Sequence, residues 1–388
     1  MHRMIIRISF VLLLLAGCAE KQIDVKVLGP VKELQKKYAP DKRVAVFTIK
    51  TYQQGKTLVV VGEVEQPEAK EELLKELKKA YSDVIDSVRI LPDETIGEKR
   101  WGIITVSVAN MRSDPGEDAE LGSQVLMGTI VRILKKKGGW LYVQSQDKYL
   151  GWTDPDQMVR VTGKEAEAWK NASKVFFTSI FGYVHQQLSE SSFPVCDLSG
   201  GALLKKLGTS GSWVNVELAD GRKGFVRKSA VIDEKLWGTK LIPVPENIER
   251  TGKFLMGVPY LWGGTSAKGV DCSGFTKTVF LLNGQMLNRD ANQQAEQGEE
   301  IEPGKDFENL KKGDLLFYGR KEENGKPERI VHVGIYLGNK EYIHSSGRVQ
   351  INSFDPNSPL YNEYNLKRFV RARRVITATP NITEVKLQ

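Results

Sequence analysis

The sequence predicts an α+β protein of several domains. Three patterns carry that expectation: a strand-strand-helix-strand unit near the N-terminus, two stretches of short strands punctuated by turn residues, and a C-terminal third in which a helix precedes a strand hairpin. A chain of 388 residues has room for two to four domains at roughly 100–200 residues each. Hydrophobic residues at 40% and charged residues at 27% are ordinary for a globular protein and exclude wholesale disorder, collagen and a many-span membrane protein. Three cysteines exclude a disulfide scaffold, and four histidines leave little material for metal sites. The formal charge of +8 slightly favours an anionic envelope or polymer as surroundings and does not indicate nucleic acid.

The chain opens with an address. Arg3 and Arg7 precede an apolar run from Ile8 to Ala16, too short to span a bilayer and of the length of a secretory signal core. Leu15-Ala16-Gly17-Cys18 resembles a bacterial lipobox, which implies removal of residues 1–17 and lipidation of Cys18. An ordinary signal peptide with a chance cysteine is the alternative. The expectation is an exported protein, lipid-anchored to a bacterial membrane and facing the periplasm or cell wall.

Residues 18–100 form the first module. Val- and Thr-rich strands are expected over 43–51 and 57–64, a helix over 67–80 with Pro67 at its start and Leu73, Leu74 and Leu77 at helical spacing, and a further strand over 83–91. Nothing in this unit carries chemistry, so its role is left as binding or spacing. Residues 101–161 alternate short strands with turns. Asn110-Met111-Arg112, Leu126-Met127-Gly128-Thr129, Gly139-Trp140 and Gly151-Trp152 give them a resemblance to a bacterial SH3-like domain. A helix over 163–183 is expected as a connector within 162–190. Residues 191–242 repeat the β pattern, with Trp213-Val214-Asn215-Val216 answering Trp140-Leu141-Tyr142-Val143 and Gly224-Phe225-Val226 answering Gly151-Trp152-Thr153. Cys196, inside this repeat, reads as a buried free thiol. Pro243 and Pro245 mark a linker to the last domain, 243–388.

That last domain holds the chemistry. Gly257-Val258-Pro259-Tyr260-Leu261-Trp262-Gly263-Gly264 is a Gly-rich loop, and Asp271-Cys272-Ser273-Gly274 leads into the apolar-periodic Phe275, Val279, Phe280 and Leu282. A helix is expected to start at or just before Cys272, with Asp271 or a neighbour as cap. Unpaired N–H groups at that end favour a thiolate, lower the cysteine pKa and can steady an oxyanion. A base is available. Strands over 330–337 and 341–346 flank a turn at Gly338-Asn339-Lys340, and a hairpin centred on Gly338 pairs position 332 with 344. His332 and His344 then share one face as neighbours. A Cys-His pair with a third polar group orienting the imidazole is the logic of thiol peptidases, with His332 as base and His344 as orienter. A zinc site on Cys272 and the two histidines is disfavoured by the lack of a fourth ligand and of short ligand spacings. A Cys196–Cys272 disulfide is disfavoured because it would remove the nucleophile.

Six segments in order make the domain resemble the NlpC-type cell-wall cysteine peptidases: 257–264 (GVPYLWGG), 271–275 (DCSGF), 288–295 (NRDANQQA), 310–319 (LKKGDLLFYG), 331–338 (VHVGIYLG) and 342–355 (YIHSSGRVQINSFD). The resemblance implies a papain-like α+β fold, with Cys272 as nucleophile, His332 as base, His344 as third member and the Tyr260 hydroxyl aimed at the catalytic centre. No metal or organic cofactor is implied. The tandem SH3-like modules further resemble those of the γ-D-glutamyl-L-diamino-acid endopeptidases. These cut peptidoglycan stem peptides between D-Glu and meso-diaminopimelate or L-Lys, favouring a free N-terminal L-Ala. By that resemblance Asp271 and Ser273 help hold the free amino group, assisted by Glu120 and Tyr149 of the first SH3-like module, with Glu117 a rival for Glu120. A buried ammonium needs carboxylate partners, and an acylated substrate would leave them unpaired. Two other readings stand beside this one: a hydrolase of polymeric wall, and a catalytically inactive wall-binding protein. The expected partners are stem peptides and, through the lipid, a membrane.

Overall fold

The computed structural model describes residues 25–323 and 325–376. The address segment, Cys18 included, lies outside the described residues. By contact the chain divides into two units: residues up to Pro40 with Val46–Ile90, and Asp41–Ala45 with everything from Leu91 onward.

The first unit holds α1 (Val25–Tyr38), β1 (Phe47–Gln54), β2 (Thr57–Val64), α2 (Pro67–Ala80) and β3 (Val84–Ile90). The three strands form one sheet in the order β1-β2-β3, with β1–β2 antiparallel and β2–β3 parallel. The right residue types drive this: β2 buries Leu58, Val60 and Val64, and α2 buries Ala69, Leu73 and Leu77 on its apolar stripe. The strand expected from residue 43 starts instead at Phe47, because residues 41–45 turn away to pack within the second unit.

The second unit begins with a seven-stranded sheet: β4 (Trp101–Ile104), β5 (Val108–Arg112), β6 (Leu121–Leu126), β7 (Ile130–Lys137), β8 (Trp140–Gln144), β9 (Leu150–Thr153) and β10 (Met158–Val161), in the order β10-β4-β7-β8-β9-β5-β6. Its core is Ile104, Ala109, Met111, Val131, Ile133, Leu141 and Val143. A short helix α3 (Gly163–Asn171) follows, closed at its start by a capping box between Thr162 and Glu165. Here the structure corrects the sequence reading. The helix expected over 163–183 ends at Asn171, and β11 (Lys174–Phe177) and β12 (Phe181–His185) belong to the second seven-stranded sheet. The apolar run Val175-Phe176-Phe177 is buried between two strands, where a lone connector helix would have left much of it exposed. The second β domain therefore starts near residue 174, not 191. It continues with β13 (Pro194–Ser199), β14 (Leu203–Ser210), β15 (Trp213–Glu217), β16 (Lys223–Arg227) and β17 (Val231–Asp233). The internal repeat is reproduced in structure: Trp140 and Trp213 each open the second strand of a hairpin, opposite Lys137 and Ser210.

The last domain packs α4 (Pro245–Phe254), the small hairpin β18 (Thr265–Ser266) and β19 (Gly269–Val270), α5 (Cys272–Leu281) and α6 (Ala291–Gln294) against an antiparallel sheet. That sheet is built from β20 (Glu299–Ile301), β21 (Leu315–Arg320), β22 (Arg329–Gly338), β23 (Glu341–Ser346), β24 (Arg348–Ser353) and, after the short α7 (Glu363–Lys367), β25 (Phe369–Arg374). The strand order is β20-β25-β21-β22-β23-β24. The helix α5 buries Phe275, Val279 and Phe280 against Phe317, Val333, Ile335 and Ile343 of the sheet. This packing sets Cys272 over the middle of the sheet.

Candidate active site

Cys272 is the first residue of α5, and Asp271 caps it through Oδ1, which accepts from Gly274 N at 2.7 Å. The cap requires glycine at 274, since a Cβ there would lie 1.9 Å from the carbonyl oxygen of Gly264. The thiol is buried, 7% exposed, with the backbone N–H groups of Val333 and Ser273 directed at it. Those N–H groups lower the thiol pKa in the expected direction, and other contributions outweigh them. Burial, and then the Asp271 carboxylate, push the thiol up to about 12 against the opposing pull of those N–H groups and of Arg289.

The two histidines meet, by a register other than the expected one. Asn339 and Lys340 both adopt left-handed backbone (φ 50° and 63°), so Gly338 pairs with Glu341, and a bulge follows at Tyr336. Tyr336 then pairs with Tyr342 and Ile335 with Ile343, which sets His344 level with Gly334 rather than His332. Position 332 lies two residues further along, on the same face, so the contact is diagonal. The missing side chain at 334 leaves room for it: a Cβ there would stand 3.2 Å from that of His344. His332 Nε2 lies 2.7 Å from His344 Nδ1.

A third residue, Asn352 on β24, completes the chain. Its Oδ1 lies 2.8 Å from His344 Nε2, and its Nδ2 donates to Leu360 O at 3.2 Å. The amide orientation fixes both tautomers. The Asn352 oxygen only accepts, so His344 carries its proton on Nε2 and accepts at Nδ1. His332 must then donate from Nε2, which leaves its Nδ1 as a free acceptor for the thiol proton. Sequence reasoning overlooked Asn352. The available signal was its parity with His344 across the tight turn at Gly347, which puts both on one face. Burial, and after it His344, hold the His332 pKa well below the ordinary 6.5. Burial brings His344 down to about 4, although its bond to Asn352 opposes the shift. The rings rest on aromatic neighbours, Tyr318 against His332 and Tyr342 against His344.

The Tyr260 phenol is held above its ordinary pKa by burial, then by Cys272 and Asp271, so it stays a neutral donor beside the sulfur. Its backbone N–H donates to Gly347 O at 2.9 Å. Asp271 and Ser273 are engaged by the chain itself. Arg289, fully buried, donates Nη2 to Asp271 Oδ2 at 2.5 Å and Nη1 to Asp271 Oδ1 and Ser273 Oγ, both at 3.1 Å. Gly263 N adds a bond to Oδ2 at 3.0 Å. Both side chains thus already carry bonds from the chain's own donors, Arg289 first.

The first β domain reaches this region. Trp262 Nε1 donates to Glu120 Oε1 at 2.7 Å, while the rival Glu117 turns to Arg112 at 3.1 Å. Gly263, at φ 79°, lies against the backbone of Leu121, where a Cβ would come within 2.3 Å of the carbonyl oxygen. Tyr149 lies beside Asp290, a carboxylate the sequence reading did not single out although it lies within 288–295. Burial and then Asp290 hold the Tyr149 phenol protonated. Both cysteines among the described residues are free, and no group of three or more His, Cys, Asp or Glu there is arranged to hold a metal ion.

A thiol at a helix N-terminus and an imidazole with a free acceptor nitrogen, oriented by a second ring and an amide, are the groups by which a sulfur loses its proton as it attacks a carbonyl. Comparison with known proteins agrees. Residues 257–374 match the NlpC/P60 family, and residues 111–157 match the bacterial dipeptidyl-peptidase SH3 domain. A gamma-D-glutamyl-L-lysine dipeptidyl-peptidase of Bacillus subtilis is 32% identical over 237 residues, covering 59% of this chain and 73% of that relative. Dipeptidyl-peptidase 6 of Lysinibacillus sphaericus is 29% identical over 272 residues, covering 67% of this chain and 94% of that relative. A crystal structure of an NlpC/P60 family protein from Bacillus cereus superposes with a TM-score of 0.61 at 25% identity, over 71% of this chain and all of that one. The chain belongs to the NlpC/P60 family of cysteine peptidases. It has the family's papain-like fold in its last domain, preceded by SH3-like β domains.

Proposed function

We propose that the protein hydrolyses the γ-D-glutamyl bond to a diamino acid, meso-diaminopimelate or L-Lys, in peptidoglycan stem peptides that carry a free N-terminal L-Ala. The observation that carries this reading is the junction of the first SH3-like domain with the Gly-rich loop. There Glu120 meets Trp262, and Tyr149 meets Asp290, so carboxylates and a phenol gather at one end of the site. These groups suit an ammonium, and an acylated nitrogen would leave them unpaired. In this reading Asp271 and Ser273 help hold the amino group, assisted by Glu120 and Tyr149, with Asp290 beside them.

In the proposed reaction Cys272 Sγ attacks the γ-carbonyl of D-Glu as its proton passes to His332 Nδ1. His344 and Asn352 hold that ring, and the α5 N-terminus and Tyr260 face the developing oxyanion. The tetrahedral adduct collapses to a thioester, and the leaving amine of the diamino acid takes the proton from His332. Water, deprotonated by His332, then attacks the thioester and releases the dipeptide carboxylate and the free thiol. Export, with lipid on Cys18, places this chemistry beside its substrate.

The test is incubation with L-Ala-γ-D-Glu-meso-diaminopimelate, its L-Lys counterpart and N-acetylated versions, with Cys272→Ala as control and mass spectrometry as readout. Release of L-Ala-D-Glu from the free peptides alone is expected. Equal cleavage of free and acetylated peptides moves the assignment to a hydrolase of polymeric wall, and cleavage of none to a wall-binding protein.

A further inference from the structure

The segment Asp41–Ala45 lies outside both family-matched stretches, yet it packs within the unit that holds the site. It is fastened to the first SH3-like domain by its backbone. Arg43 O accepts from Leu150 N at 2.8 Å, and Val44 O accepts from Gln144 Nε2 at 3.0 Å. Leu150 follows Tyr149 directly, so the strap runs beside that phenol.

Its one guanidinium points at the peptidase domain. Arg43 Nη1 donates to Asp290 Oδ2 at 2.8 Å and to Asn292 Oδ1 at 2.9 Å. The opposite edge is gripped by Asp41: Nε donates to Oδ1 at 2.9 Å and Nη2 to Oδ2 at 2.7 Å. Asp41 is held in turn by Gln293 Nε2 at 2.7 Å. The strap thus brings Arg43 and Asp41 as a pair, with Lys42 between them exposed to solvent. Its effect is geometric. The carboxylate of Asp290 is tied by Arg43 on one side and lies beside the Tyr149 phenol, with Arg289 Nη1 3.9 Å away.

We propose that Arg43 is a specificity-determining positioning residue: through Asp290 it fixes the carboxylate and the Tyr149 hydroxyl that receive the substrate's free N-terminal ammonium. The inference rests on the amine-recognition reading above. A fork that grips two carboxylates in one plane suits arginine, and lysine reproduces only one of the two contacts. Without Arg43 the Asp290 side chain regains its rotamers, and ordering it falls to the substrate.

The test measures kcat and KM in the full chain for L-Ala-γ-D-Glu-L-Lys and its N-acetyl form, in wild type, Arg43→Ala, Arg43→Lys and Asp41→Asn. Arg43→Ala is expected to raise KM for the free peptide about five- to tenfold with a much smaller change in kcat, and to shrink the preference over the acetylated peptide by a similar factor. Arg43→Lys should recover part of that loss, and Asp41→Asn should fall between. An unchanged or lowered KM in Arg43→Ala overturns the proposal, as does an equal loss of kcat on both peptides together with a lower melting temperature. A wild type indifferent to acetylation overturns the amine reading itself, and the role of Arg43 with it.

Discussion

At the residue scale, the proposed mechanism depends on where two protons sit. Asn352 Oδ1 accepts from His344, His344 accepts from His332, and the free nitrogen of His332 is left for the thiol. Replacing Asn352 by Ala removes the group that selects the tautomer of His344 and also leaves a buried ring N–H unpaired. A fall in kcat on the order of tenfold to a hundredfold is expected, the range lost when a group that orients a functional imidazole is removed. Single-turnover acylation rates check it. The same burial sets the pH response. Because the His332 pKa is held well below 6.5, the ring remains an unprotonated base as pH falls through the ordinary histidine range. The acid limb of kcat/KM should therefore lie below pH 6.5, and a limb at or above it would contradict the burial account. Stability follows the sign of His344, whose folded pKa is depressed to about 4 while the unfolded ring titrates near 6.5. Between those values the unfolded chain binds a proton that the folded one refuses, so stability falls as pH drops through this window. Melting temperatures at pH 7, 5.5 and 4 check the trend, and His344→Gln should weaken it, leaving the share of His332, which is depressed in the same direction.

At the scale of elements, glycines set the meeting of the Gly-rich loop with the first SH3-like domain. Gly263 combines a left-handed φ of 79° with a Cβ position 2.3 Å from the Leu121 carbonyl oxygen. Gly263→Ala is thus strained by backbone and by contact, and should cost about 1–3 kcal/mol. It should also raise KM more than it lowers kcat, because the loop carries Trp262 to Glu120 while Cys272 sits on α5. Denaturant midpoints and steady-state kinetics check the two parts. Much of this level was legible in the sequence. Pro67 and the leucine spacing give α2, and Asp271 ahead of an apolar run gives α5 with its cap. The misread strand comes from a tertiary contact with no local signature. Lys174–Phe177 follows a genuine helix without a Pro or Gly break, and only its burial between β14 and β17 makes it a strand. The His332–His344 register depended on a turn of two left-handed residues, neither of them glycine, which a centre on Gly338 could not anticipate. Asp290, Asn352 and Arg43 escaped notice because their partners lie on other elements, far away in the chain for Asp290 and Arg43.

At the scale of the second unit, the helix that starts at Cys272 is tied to the first SH3-like domain by an ion pair. Lys277, on α5 five residues after Cys272, places Nζ 2.8 Å from Asp147 Oδ2 in the turn between β8 and β9, with side-chain exposures of 13% and 9%. Tyr149 lies two residues beyond Asp147. Lys277 Nζ also donates to Leu287 O at 2.7 Å, and Ser145 Oγ bonds to Asp147, so neither charge is left short of partners. Burial disfavours an ionised Asp147, yet Lys277 outweighs it and holds the carboxyl below its ordinary pKa. Such a pair contributes little over an apolar substitute, but losing one member strands the other charge in a dry place, at about 3–5 kcal/mol. Lys277→Met should therefore lower stability by about that amount, whereas Lys277→Met with Asp147→Leu should recover most of it, and a double-mutant cycle in denaturant reads the coupling. A purely local ion pair would stop there. One that also sets the distance between Cys272 and Tyr149 should, when broken in Lys277→Met, raise KM for the free-amine peptide and be corrected in the double variant. Recovery of stability without recovery of KM would mean that the charges orient α5, and that packing alone does not.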